Sequence, residues 1–152
     1  MILELRQKKT EGAEMKVLVI DGQGGNLGRQ LVKRISEDIP EAEITAVGTN
    51  SIATGNMLKA GACLAATGEN AVIVGARSAD VITGPIGIVI ADALLGEVTP
   101  AMASAVGRSA AQRVLIPVNR CETYVAGISS LTASLLIEDA VKKIKELAES
   151  KK

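Results

Sequence analysis

The sequence contains no histidine, no tryptophan and no phenylalanine, and its one aromatic residue is Tyr124. Without histidine the chain has no imidazole base and no histidine ligand for zinc or iron. Without an aromatic platform it has no surface on which nucleic-acid bases could stack. The 17 basic and 17 acidic residues balance, so no bulk charge attracts nucleic acid or an anionic membrane. We therefore expect no nucleic-acid partner, no membrane partner and no metal site.

Cysteines and long apolar runs are also scarce. Cys63 and Cys121 stand far apart with no CxxC pair, which argues against a disulfide framework and fits a reducing compartment. No run approaches the roughly 18 apolar residues of a membrane span, and the richest stretch, residues 81–91, is broken by two glycines and a proline. These features indicate a cytoplasmic protein. We interpret residues 1–14 as an N-terminal extension, expected to be mobile, and residues 15–150 as a single domain.

Apolar runs and amphipathic stretches alternate along this domain. The run at 16–20 is typical of a strand buried on both faces, and a helical stripe follows at 27–35. Residues 69–77 are ambiguous, because their valines and isoleucine favour a strand whereas the alternation favours a helix, with Thr67 as its N-cap; we prefer the helix. Further strands are expected at residues 43–48, 63–66, 80–83, 113–118 and, at an edge, 124–127.

This alternation predicts an α/β fold. We expect a three-layer, Rossmann-like parallel sheet of about five to six strands, in the order 3-2-1-4-5, with helices on both faces. Ile86 to Leu95 is apolar almost all round, and it reads as a helix that a domain of this size could not surround. It therefore predicts a subunit interface and a homo-oligomer. The alternative is a core helix covered by the helix that begins at Pro100, after Thr99 as N-cap.

The stretch DGQGGNLG, from Asp21 to Gly28, is a glycine-rich turn between a predicted strand and a predicted helix. Its spacing is GxxGxxG, not GxGxxG, because position 27 is leucine. Glycines let a backbone approach a phosphate at a helix N-terminus; the alternative is a turn that only lets the helix pack on the strand. An ordinary NAD site is disfavoured, because no acidic residue follows the second strand. We interpret Asp21 as a carboxylate that accepts hydrogen bonds from loop amides.

Ligands of open α/β sheets bind beyond the carboxyl ends of the strands. The residues expected to bind a cofactor lie at those ends: Gly22, Gln23, Gly24, Gly25, Thr49, Asn50, Gly84, Pro85, Asn119 and Arg120. The candidates for catalysis are Asp21, Glu69 and Cys121. Cys121 is included because a neighbouring cation favours the thiolate. Glu69 has a second interpretation, as a carboxylate that complements a helix dipole.

Several unusual runs occur in order along the chain. They include IDGQGG at 20–25, ATGEN at 66–70, GPIGI at 84–88 and IPVNRC at 116–121. In these runs the chain resembles an uncharacterised bacterial family of Firmicutes type that opens with the IDGQGG signature, over about residues 15–147. The resemblance implies a self-contained small domain and brings no activity, cofactor or catalytic residue.

The sequence hypothesis is a domain that binds a nucleotide or another small anionic metabolite at the carboxyl edge of its sheet, without catalysis. The cofactor itself is not identified. One alternative is a small enzyme that uses Asp21, Glu69 or Cys121 at the same edge. The other is an oligomeric assembly module that takes no small ligand.

Overall fold

The apolar run after Met15 forms the central strand of one parallel sheet. The computed structural model describes residues 15–118, 123–128 and 130–151, so the predicted N-terminal extension lies outside it. The strands are β1 Lys16–Asp21, β2 Glu43–Gly48, β3 Leu64–Thr67, β4 Val81–Pro85 and β5 Gln112–Ile116. The helices are α1 Asn26–Asp38, α2 Ser51–Lys59, α3 Glu69–Ser78, α4 Pro100–Arg108 and α5 Ala133–Lys151, with a short 3₁₀ turn at Ile86–Val89.

The strand order is β3-β2-β1-β4-β5, and every pairing is parallel. The predicted fold class and strand order are thus confirmed. The chain moves from β1 to one side of the sheet as far as β3 and then returns to β4 on the other side. The strand order therefore reverses between β1 and β4, so the loops after these two strands diverge and leave a crevice at the carboxyl edge.

Side-chain alternation divides the core into two layers. Val17 and Val19 of β1 belong to the cluster that includes side chains of α1, α2 and α5. Leu18 and Ile20 belong to the cluster that includes side chains of α3 and α4. A strand that is apolar at every position is therefore buried on both faces, as the continuous run predicted.

Two local predictions are confirmed and two are wrong. Residues 69–78 are helical, and Thr99 Oγ1 accepts a hydrogen bond from Met102 N (3.1 Å) at the start of α4. Thr67 does not cap α3, because the N-cap position is Gly68 and the Thr67 hydroxyl bonds Thr54 Oγ1 (2.7 Å). Residues 124–127 form coil and a turn, not an edge strand.

The predicted apolar helix over 86–95 is also wrong. A single 3₁₀ turn is followed by consecutive turns from residue 91 to 97. Asp92, Leu94 and Leu95 have φ values of 64°, 56° and 56°, in the left-handed region, and this conformation is incompatible with a right-handed helix. The interface prediction consequently loses the helix on which it was based.

The opposite, amino edge of the sheet is tied together by Asp80. Its Oδ2 accepts hydrogen bonds from Lys16 N (2.8 Å) and from Lys151 Nζ (2.7 Å). Partial burial raises the pKa of the Asp80 carboxyl, but the hydrogen bonds from Lys151 and Lys16 and their charges outweigh this effect, so the pKa lies below its ordinary value. Asp80 thus connects the last turn of α5 to the start of β1.

We expect Asp80→Asn to lower the free energy of unfolding at pH 7 by roughly 0.2–1 kcal/mol, because both partners are partly exposed. A carboxyl with a lowered folded pKa stabilises fully above its unfolded pKa of about 4, and this contribution is lost as the pH falls through the folded value. The deficit of the variant relative to the wild type should therefore shrink at pH 3. Urea unfolding at the two pH values measures it, and an equal deficit at both would contradict the assignment.

Candidate functional site

A cleft of about 760 Å³ lies at the carboxyl edge of the sheet, where the strand order reverses. One wall is the glycine-rich loop, Gly22–Gly25, with the first turn of α1. The opposite wall is formed by Pro85 and the segment that follows β4. The lining consists of Asp21, Gly22, Gln23, Gly24, Gly25, Asn26, Leu27, Gln30, Pro85, Ile86, Gly87, Ile90, Ala91, Asp92, Ala93, Leu94, Leu95, Val118, Thr123 and Ala133.

Asp21 lies at the base of the glycine-rich loop and is only 5% exposed. Its Oδ1 accepts a hydrogen bond from Gly22 N (2.8 Å), and its Oδ2 accepts one from Gly28 N (2.6 Å). The N-cap of α1 is Gly25, which has no side chain, so Asp21 acts as the capping acceptor from the preceding strand. These contacts agree with the interpretation of Asp21 as a carboxylate bound to loop amides.

Two of the glycines are required by packing. Gly25 has a left-handed φ of 69°, and a Cβ there would stand 2.6 Å from the Cα of Ala53. A Cβ at Gly28 would meet the Sδ of Met57 at 2.5 Å, so this glycine lets α1 and α2 approach. Gly24 differs, because a Cβ there would meet no atom within 4 Å. Gly24 is therefore the glycine of this loop at which a side chain can block the cleft without disturbing the core.

The carbonyl groups of the loop are held by α2. Asn50 Nδ2 donates to the carbonyl oxygen of Gln23 (2.8 Å), and Asn56 Nδ2 donates to that of Gly24 (2.8 Å). The C=O and N–H of a trans peptide point in opposite directions. The amide of Gly24 is consequently turned away from α2.

One amide of the glycine-rich loop and two of the first turn of α1 donate to no acceptor in the part of the chain that the structure describes. They belong to Gly24, Asn26 and Leu27. All three residues line the cleft. Such amides, with the helix dipole behind them, favour an anionic group.

Thr49 and Asn50, which follow β2, donate hydrogen bonds to Glu97, a residue that the sequence analysis did not select. Glu97 Oε1 accepts hydrogen bonds from Thr49 Oγ1 (3.0 Å) and Asn50 Nδ2 (2.6 Å), and its Oε2 accepts one from Gln23 N (3.0 Å). The second strand therefore does have a carboxylate at its carboxyl end, but the carboxylate comes from the segment after β4. Glu97 is a lone acid after an apolar run, so no spacing rule pairs it with β2.

The remaining predicted residues are dispersed. Pro85 lines the cleft, whereas Gly84 lies within β4, where a Cβ would collide with the carbonyl oxygen of Ile20. Glu69 does not line the cleft, and its Oε2 accepts a hydrogen bond from Thr99 Oγ1 (2.6 Å). The structure thus does not bring Glu69 to Asp21. Asn119, Arg120 and Cys121 lie outside the described residues.

Within the described ranges, no group of three acidic or cysteine side chains is arranged to hold a metal ion. Within the same ranges, no helix is long and apolar enough to cross a bilayer. The described lining of the cleft carries the carboxylates of Asp21 and Asp92 and no basic side chain.

The open parallel sheet, its strand order and the glycine-rich loop after β1 define a Rossmann-like α/β protein. The chain belongs to the family described as a domain of unknown function (DUF3842), whose model matches residues 16–149. The predicted resemblance to an uncharacterised domain family is confirmed.

The chain is similar to the crystal structure of a dodecameric FMN-dependent UbiX-like decarboxylase from Escherichia coli O157:H7, with 16% identity, a TM-score of 0.43, and coverage of 88% of this chain and 93% of that one. A similarity of this size does not transfer a ligand or an assembly to this chain. Comparison with curated proteins finds no match.

We expect Asp21→Ala to lower the free energy of unfolding by roughly 2–4 kcal/mol, because it removes two charge-assisted hydrogen bonds and leaves their amide donors without this acceptor. Urea unfolding followed by circular dichroism measures the change. Asp38→Ala is the matched control, since its carboxylate makes one exposed contact with Arg34 at 3.7 Å and should change stability by less than about 0.5 kcal/mol. Equal effects of the two substitutions would contradict the role of Asp21.

Proposed function

We propose that this protein binds a nucleotide, or another small metabolite with an anionic group, in the cleft at the carboxyl edge of its sheet. The observation that carries the proposal is that the amides of Gly24, Asn26 and Leu27, residues that line the cleft, meet no acceptor in the described chain. A phosphate oxygen is the ligand atom that such a set favours.

The size and lining of the cleft support the same proposal. Small-molecule sites commonly measure about 300–1,000 Å³ and combine apolar walls with a few polar groups. Here the apolar wall comes from Ile86, Ile90 and Leu94, and the polar groups come from the glycine-rich loop and Gln30. The apolar wall suits the flat face of a base, and the amides suit its phosphate.

Binding without a chemical step is the form of the proposal that we favour. Asp21, the one catalytic candidate that lines the cleft in the described chain, already accepts hydrogen bonds from two amides that hold the loop. A carboxylate used in this way supports the loop and is not directed at a ligand. We also propose a cytoplasmic location, on the basis of the two isolated cysteines.

We expect Gly24→Leu to abolish nucleotide binding while the fold is kept, because the leucine side chain would cover the amides without meeting the core. Thermal unfolding by circular dichroism, with NAD, NADP, ATP, GTP, FAD and S-adenosylmethionine in turn, measures binding. A ligand at 100 times its Kd stabilises by about 2.7 kcal/mol and should raise the midpoint by several degrees.

Gly107→Leu is the matched control, because a Cβ at this exposed glycine of α4 also meets open space. It should respond to nucleotide as the wild type does. Absence of a shift with every compound in the wild type would contradict nucleotide binding, and an equal shift in Gly24→Leu would contradict the assigned cleft.

A second candidate function, self-association, has its own observation. The edge strand β3 and helix α3 expose Leu64 (51%) and Val74 (50%) beside a hollow of about 340 Å³. An edge strand presents unpaired backbone groups, and an adjacent apolar surface favours pairing with a second copy of the chain.

If β3 joins two copies, Leu64→Lys should convert an oligomer into a monomer, because a charge would be buried in the contact. Size-exclusion chromatography with light scattering measures the mass. Ile52→Lys, at another exposed apolar position (68%) on α2, serves as the control and should leave the mass unchanged. A monomeric wild type would rule out this second function.

A further inference from the structure

Three hydrogen-bond donors converge on the carboxylate of Glu97 from two different loops. Gln23 N lies in the glycine-rich loop, while Thr49 Oγ1 and Asn50 Nδ2 lie at the end of β2. All three are neutral groups, and together they hold one negative charge in a half-buried position. They therefore form a small anion-binding position, defined here as the donor triad.

Two members of the donor triad, Gln23 and Asn50, are held by contacts that do not involve Glu97. Asn50 Oδ1 accepts from Ala53 N (2.9 Å) as the N-cap of α2, and Asn50 Nδ2 also donates to the carbonyl of Gln23. Gln23 itself is a non-glycine residue with a φ of 50°. Two of the three donors are thus oriented in advance, which lowers the ordering cost of binding an anion.

Glu97 reaches the donor triad from a strained segment, residues 90–98, which we call the 90–98 loop. Asp92, Leu94 and Leu95 all have left-handed backbones, each at a cost of roughly 1–2 kcal/mol. Leu95 is 94% exposed. A conformation of this kind persists only when other contacts hold it.

The 90–98 loop is anchored in the core by Ala93, Leu94 and Val98, which are buried. Asp92 N donates to Val98 O (2.8 Å) and Val98 N to Ala93 O (3.1 Å), which closes the loop on itself. Across the cleft, Leu94 packs close to Gly22, where a Cβ would lie 2.8 Å from Leu94 Cδ1. Glu97 makes the polar contacts that join this loop to the glycine-rich loop and to the end of β2.

We propose that the donor triad is an anion site of the ligand, that Glu97 is its internal occupant, and that a phosphate of the bound nucleotide displaces the carboxylate and loosens the contact between the 90–98 loop and the glycine-rich loop. This inference rests on the proposed function, because it adds a second anion position to the same cleft. Gln23 belongs to both the cleft and the donor triad, so a ligand held by the amides of α1 lies next to it.

The three donors keep an anionic acceptor throughout, since the phosphate replaces the carboxylate of Glu97. Displacement of Glu97 removes polar contacts between the glycine-rich loop and a segment whose residues 90–95 form one wall of the cleft. Glu97 competes with the ligand as a tethered group, so its removal should strengthen anion binding.

The first test uses Glu97→Ala and inorganic phosphate or acetate as the probe, without nucleotide. The midpoint of thermal unfolding should fall in the variant, and phosphate or acetate should restore it, whereas chloride at equal ionic strength should not. Glu69→Ala is the matched control, because its carboxylate is also bound to a threonine but lies outside the donor triad. Equal responses of the two variants would overturn the proposal.

Glu97→Gln keeps the shape of the side chain and covers the case in which the alanine variant does not fold. Amide hydrogen exchange of Gly96 and Val98, which donate hydrogen bonds within the 90–98 loop, should accelerate at least about tenfold, while the amide of Ile39 at the end of α1 should not change. Unchanged exchange at Gly96 and Val98 would contradict the role of Glu97 in holding the loop.

Nucleotide binding then separates this proposal from the proposed function. If a nucleotide stabilises the wild type and binds Glu97→Ala about tenfold more tightly, both stand. If it binds both forms equally and phosphate restores nothing, displacement of Glu97 is wrong and the proposed function stands. If phosphate restores Glu97→Ala but no nucleotide binds either protein, the anion site stands and the nucleotide is wrong.

Discussion

The contact between Asp21 and the amides of Gly22 and Gly28 is the constraint on which the rest of this edge depends. It joins the end of the central strand to the first turn of α1 through one carboxylate. Because the acceptor comes from β1, the N-cap residue can be a glycine, and that glycine can pack against Ala53 of α2. Strand, loop and two helices are thereby fixed at one point.

Asp21 does not accept hydrogen bonds from every amide of the loop and the first turn of α1. Asp21 accepts hydrogen bonds from the amides of Gly22 and Gly28, while those of the cleft-lining residues Gly24, Asn26 and Leu27 meet no acceptor in the described chain. A buried carboxylate below the loop and an anion above it thus use different donors. The hydrogen bonds from Gly22 N and Gly28 N stabilise the carboxylate of Asp21 below the loop.

The 90–98 loop, on the opposite side of the cleft, is held by different contacts from those of the glycine-rich loop. The 90–98 loop carries left-handed residues and exposes Leu95, while Ala93, Leu94 and Val98 anchor it in the core. Asn50 and Asn56 hold the carbonyl groups of the glycine-rich loop, whereas Glu97 makes the polar contacts between the 90–98 loop and the glycine-rich loop. Loops that change position when a ligand binds are common at such sites.

Much of the fold could be predicted from sequence, because continuous apolar strands and amphipathic helices have a direct physical cause in burial. The run at 16–20 and the stripe at 27–35 both proved correct. The helix expected at 86–95 was wrong, because nothing in local propensity predicts left-handed leucines. Long-range contacts fix that segment, among them the packing of Leu94 near Gly22.

The candidate site was predicted only in part. The glycine-rich loop and Pro85 do line one cleft, since strand ends meet at one edge in any parallel sheet. Glu97 was missed, because it lies 47 residues from Asn50 in sequence and reaches it only through the fold. The packing roles of Gly25 and Gly28 also required coordinates, because a glycine needed for a close contact looks the same in sequence as one needed for a phosphate.

The most direct test of the central claim is an NMR titration of the ¹⁵N-labelled wild-type chain with the same nucleotides. The account predicts that the amide signals of Gly24, Asn26 and Leu27 shift most, together with those of the 90–98 loop, while signals of β3 stay in place. Shifts confined to β3 and α3, or no shift with any nucleotide, would contradict it.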